Sequence, residues 1–290
     1  ATADMRSLVR SVVDSQIRDI ADDEVFWRLP SKNIFDAIAN FGARPYFAVG
    51  DSHARHFVGH DIAIDPWPVG MPLVMHAVSA ASLIGGTQPS ATGLRLLLWA
   101  RDVTVRSRNP RDLPIYLTFG GLDAEYRWIA RRLRDNIERY SVAQFDTHAE
   151  VAVQRYRSFL TLLIGIAGTE RIRVCSTFPS VMEGQTWIDN YIQANFVSDS
   201  AAIEMRSALH NIEIPGRRER NRLRQRFNTL LATTCSALAA TFLDCCTPFL
   251  DAGGDTVADV HSGPGSDGFH VCREGVAPFL ARAIAEGCAV

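Results

Sequence analysis

A short apolar run that stops at a glycine and passes straight into a polar turn, Tyr46-Phe47-Ala48-Val49-Gly50-Asp51-Ser52-His53, constrains this chain more than any other stretch. It reads as a β-strand that ends in a tight turn and leads into a helix through Ala54-Arg55-His56-Phe57. In a parallel α/β sheet that turn is the carboxyl end of a strand, where such proteins keep their sites. A serine hydroxyl placed there lies over the N–H groups that open the next helix, and those groups favour developing negative charge. Serine alone is a weak nucleophile, so a base must come from elsewhere in the chain. Asp267-Gly268-Phe269-His270, near the other end, offers a carboxylate and an imidazole three residues apart. The carboxylate can hold one ring nitrogen while the other faces the serine.

Between those two segments, strand patterns alternate with helix patterns. Strands are predicted at 46–49, at Ile62-Ala63-Ile64, over Leu113 to Phe119, over Arg171 to Ser176 and over Ala240 to Asp244. Helices are predicted over Ser90 to Arg106 with Leu94, Leu97, Leu98 and Val105 inward, and over Ala124 to Arg139 with Arg131, Arg132 and Arg134 solvated. Further helices run from His148 to Ile166, onward from Arg217, and through Val276, Phe279, Leu280 and Ile284 at the close. This alternation predicts a parallel sheet covered on both faces. Met5, Leu8, Val9, Val12, Val13, Ile17 and Ile20 mark an amphipathic helix, so residues 1–40 are read as a helical extension and 41–290 as the main domain. Within 180–215, Trp187, Tyr191 and Phe196 are expected to pack in the core or under a lid.

Composition narrows the partners. A net charge of −2 over 290 residues provides no positive field for nucleic acid. No apolar run reaches the 18 residues of a membrane span. Six arginines between Arg217 and Arg226 open a helix that turns apolar, which is the pattern of a solvated face. Cys175, Cys235, Cys245, Cys246, Cys272 and Cys288 form no C-x-x-C pair and are read as buried free thiols, an expectation that favours the cytoplasm. His53, His56 and His60 raise a metal reading, but no third ligand stands at a matching spacing, and no metal or organic cofactor is expected.

Taken together, these residues resemble the SGNH (GDSL-like) hydrolase superfamily in its G-D-S-H form. Gly50-Asp51-Ser52-His53 is similar to the first block of that family and Asp267-Gly268-Phe269-His270 to its last. Gly85-Gly86 falls in the region of the second block, and Thr118-Phe119-Gly120-Gly121-Leu122-Asp123 in the third, where Leu122 replaces the asparagine that donates to the oxyanion. Loss of such a donor costs about 100- to 1000-fold in rate unless another group replaces it. The resemblance implies a three-layer α/β/α fold with a flavodoxin-like parallel sheet of about five strands. It also implies Ser52 as nucleophile, His270 as base and Asp267 as the acid that orients it. Gly86, Gly121, Asp123 and Arg127 are the candidates for holding the oxyanion or substrate, Gly121 N–H or Arg127 standing in for the missing asparagine. The implied activity is a serine esterase that removes a short acyl group, acetyl above all, from a carbohydrate or small-molecule ester through an acyl-enzyme. The alternatives are an acyltransferase that delivers the acyl group to a carbohydrate hydroxyl, and a non-catalytic carbohydrate-binding protein on the same fold.

Overall fold

The computed structural model describes residues 43–58, 67–75, 78–106, 113–195, 199–257 and 270–288. The expected N-terminal extension, Ile62-Ala63-Ile64, His60, Phe196 and Asp267 lie outside these residues. Five strands form one sheet: β1 (Ala43–Gly50), β2 (Trp67–Val74), β5 (Ile115–Thr118), β6 (Ile172–Cys175) and β7 (Thr241–Leu243). Their spatial order is β2-β1-β5-β6-β7, every pairing is parallel, and Phe47 lies opposite both Met71 and Ile115. This is the doubly wound flavodoxin-like order, and it places a topological switch point between β1 and β5. A separate two-stranded hairpin pairs β3 (Ile84–Gly85) with β4 (Gln88–Pro89).

Alternation along the strands divides the core in two. Phe47 and Val49 of β1, with Ile115 and Leu117 of β5, face a cluster shared with α1 (Ala91–Arg106), α3 (Val142–Ala167) and α6 (Arg217–Ala237). Tyr46, Ala48 and Tyr116 face the opposite cluster, covered by α7 (Arg273–Cys288) through Val276, Leu280 and Ile284. The architecture is therefore three-layered α/β/α, as the sequence predicts. Three more helices complete the described chain: α2 (Trp128–Arg134), α4 (Gly184–Asn195) and α5 (Asp199–His210).

Several local expectations need correcting. The strand beside β1 is Trp67–Val74, a segment that carries Pro68 and Pro72 and is not among the strands expected from the sequence. An edge strand tolerates proline because one side of it makes no ladder bonds. In α1 the inward residues are Leu96, Leu97, Ala100 and Val103, while Leu94 and Val105 are 50% and 79% exposed. With leucine at four of the five positions 94–98, periodicity alone does not select the buried face. Helix α3 begins at Val142 rather than near His148, because Ser141 and Gln144 form a reciprocal capping box. Trp187 and Tyr191 are core residues of α4, stacked at 5.4 Å. All six cysteines are buried free thiols, as expected.

The arginine run also behaves differently from its reading as a solvated face. Arg220 and Arg224 point inward and flank Glu125, with Arg220 Nε and Arg224 Nε each 2.9 Å from a carboxylate oxygen. Trp187 Nε1 and Ser180 Oγ donate to the same carboxylate. Burial raises the Glu125 pKa, but the two guanidiniums outweigh it and the group titrates below its ordinary value. Arg132, expected in solvent, is buried and donates to Glu213 O at 2.7 Å and Glu138 O at 2.6 Å.

Candidate active site

The end of β1 is fixed by its neighbours before any side chain is considered. Gly50 O accepts from Met75 N at 2.6 Å, and Asp51 N donates to Thr118 O at 3.3 Å. A Cβ on Gly50 would overlap Thr118 Oγ1 and its carbonyl, so only glycine allows β1 and β5 to approach this closely at the turn. Asp51 then caps a 3-10 turn over Ser52–Phe57, its Oδ1 accepting from His53 N at 3.0 Å. Ala54 and Phe57 of that turn are buried against α7 in the smaller core cluster. Because α7 follows directly on Val271 and Cys272, both buried, its docking delivers His270 to the serine.

Ser52 Oγ lies 2.6 Å from His270 Nε2. The two residues are 218 positions apart in the chain, so the sheet and α7 together create this contact. With Nε2 accepting the hydroxyl proton, the ring proton of neutral His270 sits on Nδ1, the side that an orienting carboxylate would hold.

A second histidine completes the local surface. His53 Nδ1 lies 2.9 Å from Asp51 Oδ1, and since a carboxylate only accepts, Nδ1–H is the donor. The His53 ring stacks on Phe178 at 5.1 Å with 6° between planes, and it meets the His270 ring at 4.9 Å. Burial pushes the His53 pKa below its ordinary value; Asp51 opposes that shift without cancelling it, and His270 and Arg224 add to it. Phe178 is in turn held by Arg224, whose Nη1 donates to Phe178 O at 2.6 Å. The Glu125–Arg224 pair thus reaches the site through Phe178.

The remaining sequence candidates separate. Gly121 lies at the site: a Cβ there would stand 2.8 Å from Asp51 Oδ2 and 3.7 Å from the His53 ring. It also opens a helical segment, because Gly120 O already accepts from Ala124 N at 2.9 Å, and the N–H groups of a first helical turn have no partner inside the helix. Asp123 is buried, and its Oδ2 accepts from Ala80 N at 2.7 Å, so its carboxylate holds the turn at Ala80–Leu83. Burial raises its pKa to about 6. Gly86 is exposed at the tip of the β3–β4 hairpin, with φ of +66° and open space around its Cα. Arg127 is exposed and lines a groove between α2 and α3 to which Ser52, Gly121 and His270 do not contribute. Leu122 packs partly buried against the larger core cluster.

His56 is buried, with its ring centroid 5.9 Å from that of His53. Among the described residues no group of three or more His, Cys, Asp or Glu side chains is placed to hold a metal ion. No helix of the described chain is long and apolar enough to cross a membrane. The Asp51–His53 pair escapes the sequence reading, although an acid two residues before a histidine at a helix start is its visible signal. Phe178 carries no such signal, because a lone aromatic after a strand is indistinguishable from core.

The chain matches no protein-family model, and no curated protein matches it. Among solved structures it is similar to a GDSL-like lipase from Bacteroides thetaiotaomicron, at 12% identity and a TM-score of 0.40, over 88% of this chain and 96% of that one. It is also similar to phospholipase A1 from Streptomyces albidoflavus, at 12% identity and 0.40 over 84% and 99%, and to the lipase/acylhydrolase from Enterococcus faecalis, at 12% identity and 0.35 over 84% and 96%.

Proposed function

We propose that this chain is a serine esterase of the SGNH type, in which Ser52 is the nucleophile and His270 the general base. The observation that carries the reading is the 2.6 Å approach of Ser52 Oγ to His270 Nε2 at the switch point of a parallel sheet. Ser52 Oγ attacks the acyl carbon while His270 Nε2 takes its proton. His270, now an imidazolium, returns that proton to the departing alkoxide, leaving an acyl-Ser52 ester. Water repeats the two transfers in the opposite sense and frees the acid.

Asp267 is the group assigned to His270 Nδ1–H, on the strength of its position three residues earlier in the chain. For the oxyanion, the backbone N–H groups of Ser52 and Gly121 are the donors, since both open helical turns at the end of adjacent strands. Gly121 N–H thereby takes the place of the asparagine that Leu122 replaces. The substrate is an ester of a short acyl group, acetyl on a carbohydrate or a comparable small molecule, and the reaction needs no cofactor.

Intact mass after treatment with a fluorophosphonate tests the assignment. One adduct on the wild type, none on Ser52→Ala, and labelling slowed at least about 100-fold in His270→Ala are expected. A wild type that stays unlabelled, or a Ser52→Ala variant that labels normally, overturns it. A parallel acetyl-ester assay with added sugar separates hydrolysis from transfer, because an acceptor accelerates acyl release only in a transferase.

A further inference from the structure

Helix α2 and the turn before it place Arg127, Arg131 and Arg134 on one side, four and three residues apart. Across from them α3 presents His148, Val151, Ala152 and Arg155, again on one helical face. The two faces enclose a groove of about 490 Å³ with Ala81 and Ala130 in its wall. Four guanidiniums and an imidazole therefore line one concavity, and no carboxylate lines it. Asp135 at the end of α2 answers two of them, at 2.9 Å from Arg134 Nε and 3.5 Å from Arg131 Nε. Among the described residues Arg127 and Arg155 have no hydrogen-bonded carboxylate. The nearby Asp123 carboxylate is committed to Ala80 N–H, and His148 Nε2 donates to Asp123 O at 3.1 Å.

Like charges on adjacent helical faces repel and lower stability, so such a cluster is unfavourable until an anion enters it. Small alanine walls leave the space open, and a planar guanidinium fits the oxygens of a phosphoryl group in a two-point contact. The volume is that of a small-molecule pocket, and the chain as a whole carries a net charge of −2, which favours a compact anion over a polyanionic strand.

We propose that the groove between α2 and α3 is a binding site for a small phosphoryl-bearing anion, gripped by Arg127 from one side and Arg155 from the other. The site is separate from Ser52 and His270, and its occupancy does not depend on the esterase reading.

Calorimetric titration with inorganic pyrophosphate tests it, with sodium chloride holding ionic strength constant. Saturable binding to the wild type is expected, weakened at least about tenfold in Arg127→Ala and in Arg155→Ala, and unchanged in Ser52→Ala. Without ligand, Arg155→Ala is expected to melt no lower than the wild type, because the substitution relieves repulsion. No saturable heat up to 10-millimolar-order concentrations, about 100 times a useful affinity, or equal affinity in the arginine variants, overturns the proposal.

Discussion

The His53 imidazole stands edge-on to the His270 ring, with centroids 4.9 Å apart and planes at 77°. One ring is tied to Asp51 and stacked on Phe178, while the other reaches Ser52. His53 is thus a wall that fixes where the His270 ring can lie.

Replacing His53 tests that role. His53→Ala removes the wall and is expected to lower kcat/KM on a p-nitrophenyl ester about 100-fold, the scale of a misplaced catalytic group. His53→Gln keeps an N–H donor toward Asp51 and is expected to recover part of the loss. Equal activity in His53→Ala and wild type would show that His270 needs no such support.

Gly121→Ala puts a Cβ 2.8 Å from Asp51 Oδ2, and Asp51 cannot yield without releasing His53. The expected result is a kcat about 10- to 100-fold lower with fold retained, read by steady-state kinetics and far-ultraviolet circular dichroism.

Glu125→Gln leaves Arg220 and Arg224 buried without a counter-charge. Breaking a buried pair from one side costs about 3–5 kcal/mol, and urea denaturation is expected to show a loss of that size. A loss below about 1 kcal/mol would mean that water reaches the two guanidiniums.

Asp123 supplies a pH dependence with a defined sign. Its pKa is about 6 in the folded chain and 3.8 in an ordinary carboxylate, so the folded state binds the extra proton between those values. Its contribution is fully present below about pH 4 and is lost as the pH rises through about 6, a change of about 3 kcal/mol. His53 and His148 act with the opposite sign, since burial lowers both and their protonation opposes folding as the pH falls below 6.5. The informative quantity is therefore the stability difference between Asp123→Asn and wild type. It is expected to move in favour of the variant by about 2 kcal/mol between pH 4 and 7, and a flat difference rejects the assignment.

The parts of this protein that sequence made visible are those specified by neighbours in the chain. The β1 turn, the strands at Ile115–Thr118 and Ile172–Cys175, and helix α6 each carry their own period and stop signals. Ser52 and His270, which the fold brings within 2.6 Å, stood out in the sequence because one follows an apolar run that ends at a glycine and the other follows an acid by three residues. What stayed hidden depends on packing. Arg220 and Arg224 look like surface charge until Glu125, about 95 residues away, turns toward them. Gly86 and Gly121 are equivalent as letters, and only the meeting of β1 and β5 brings the second beside Asp51.

Pro68 and Pro72 have a consequence beyond the shape of β2. Both lie two residues from Gly70 on the same parity of a strand that ends the sheet, so the outward row of that strand lacks two of its N–H donors. At the opposite border β7 is only three residues long. Among the described residues, neither border offers a foreign strand a continuous template to pair with. Within the described sheet, the pairing of a foreign strand is therefore opposed at both borders.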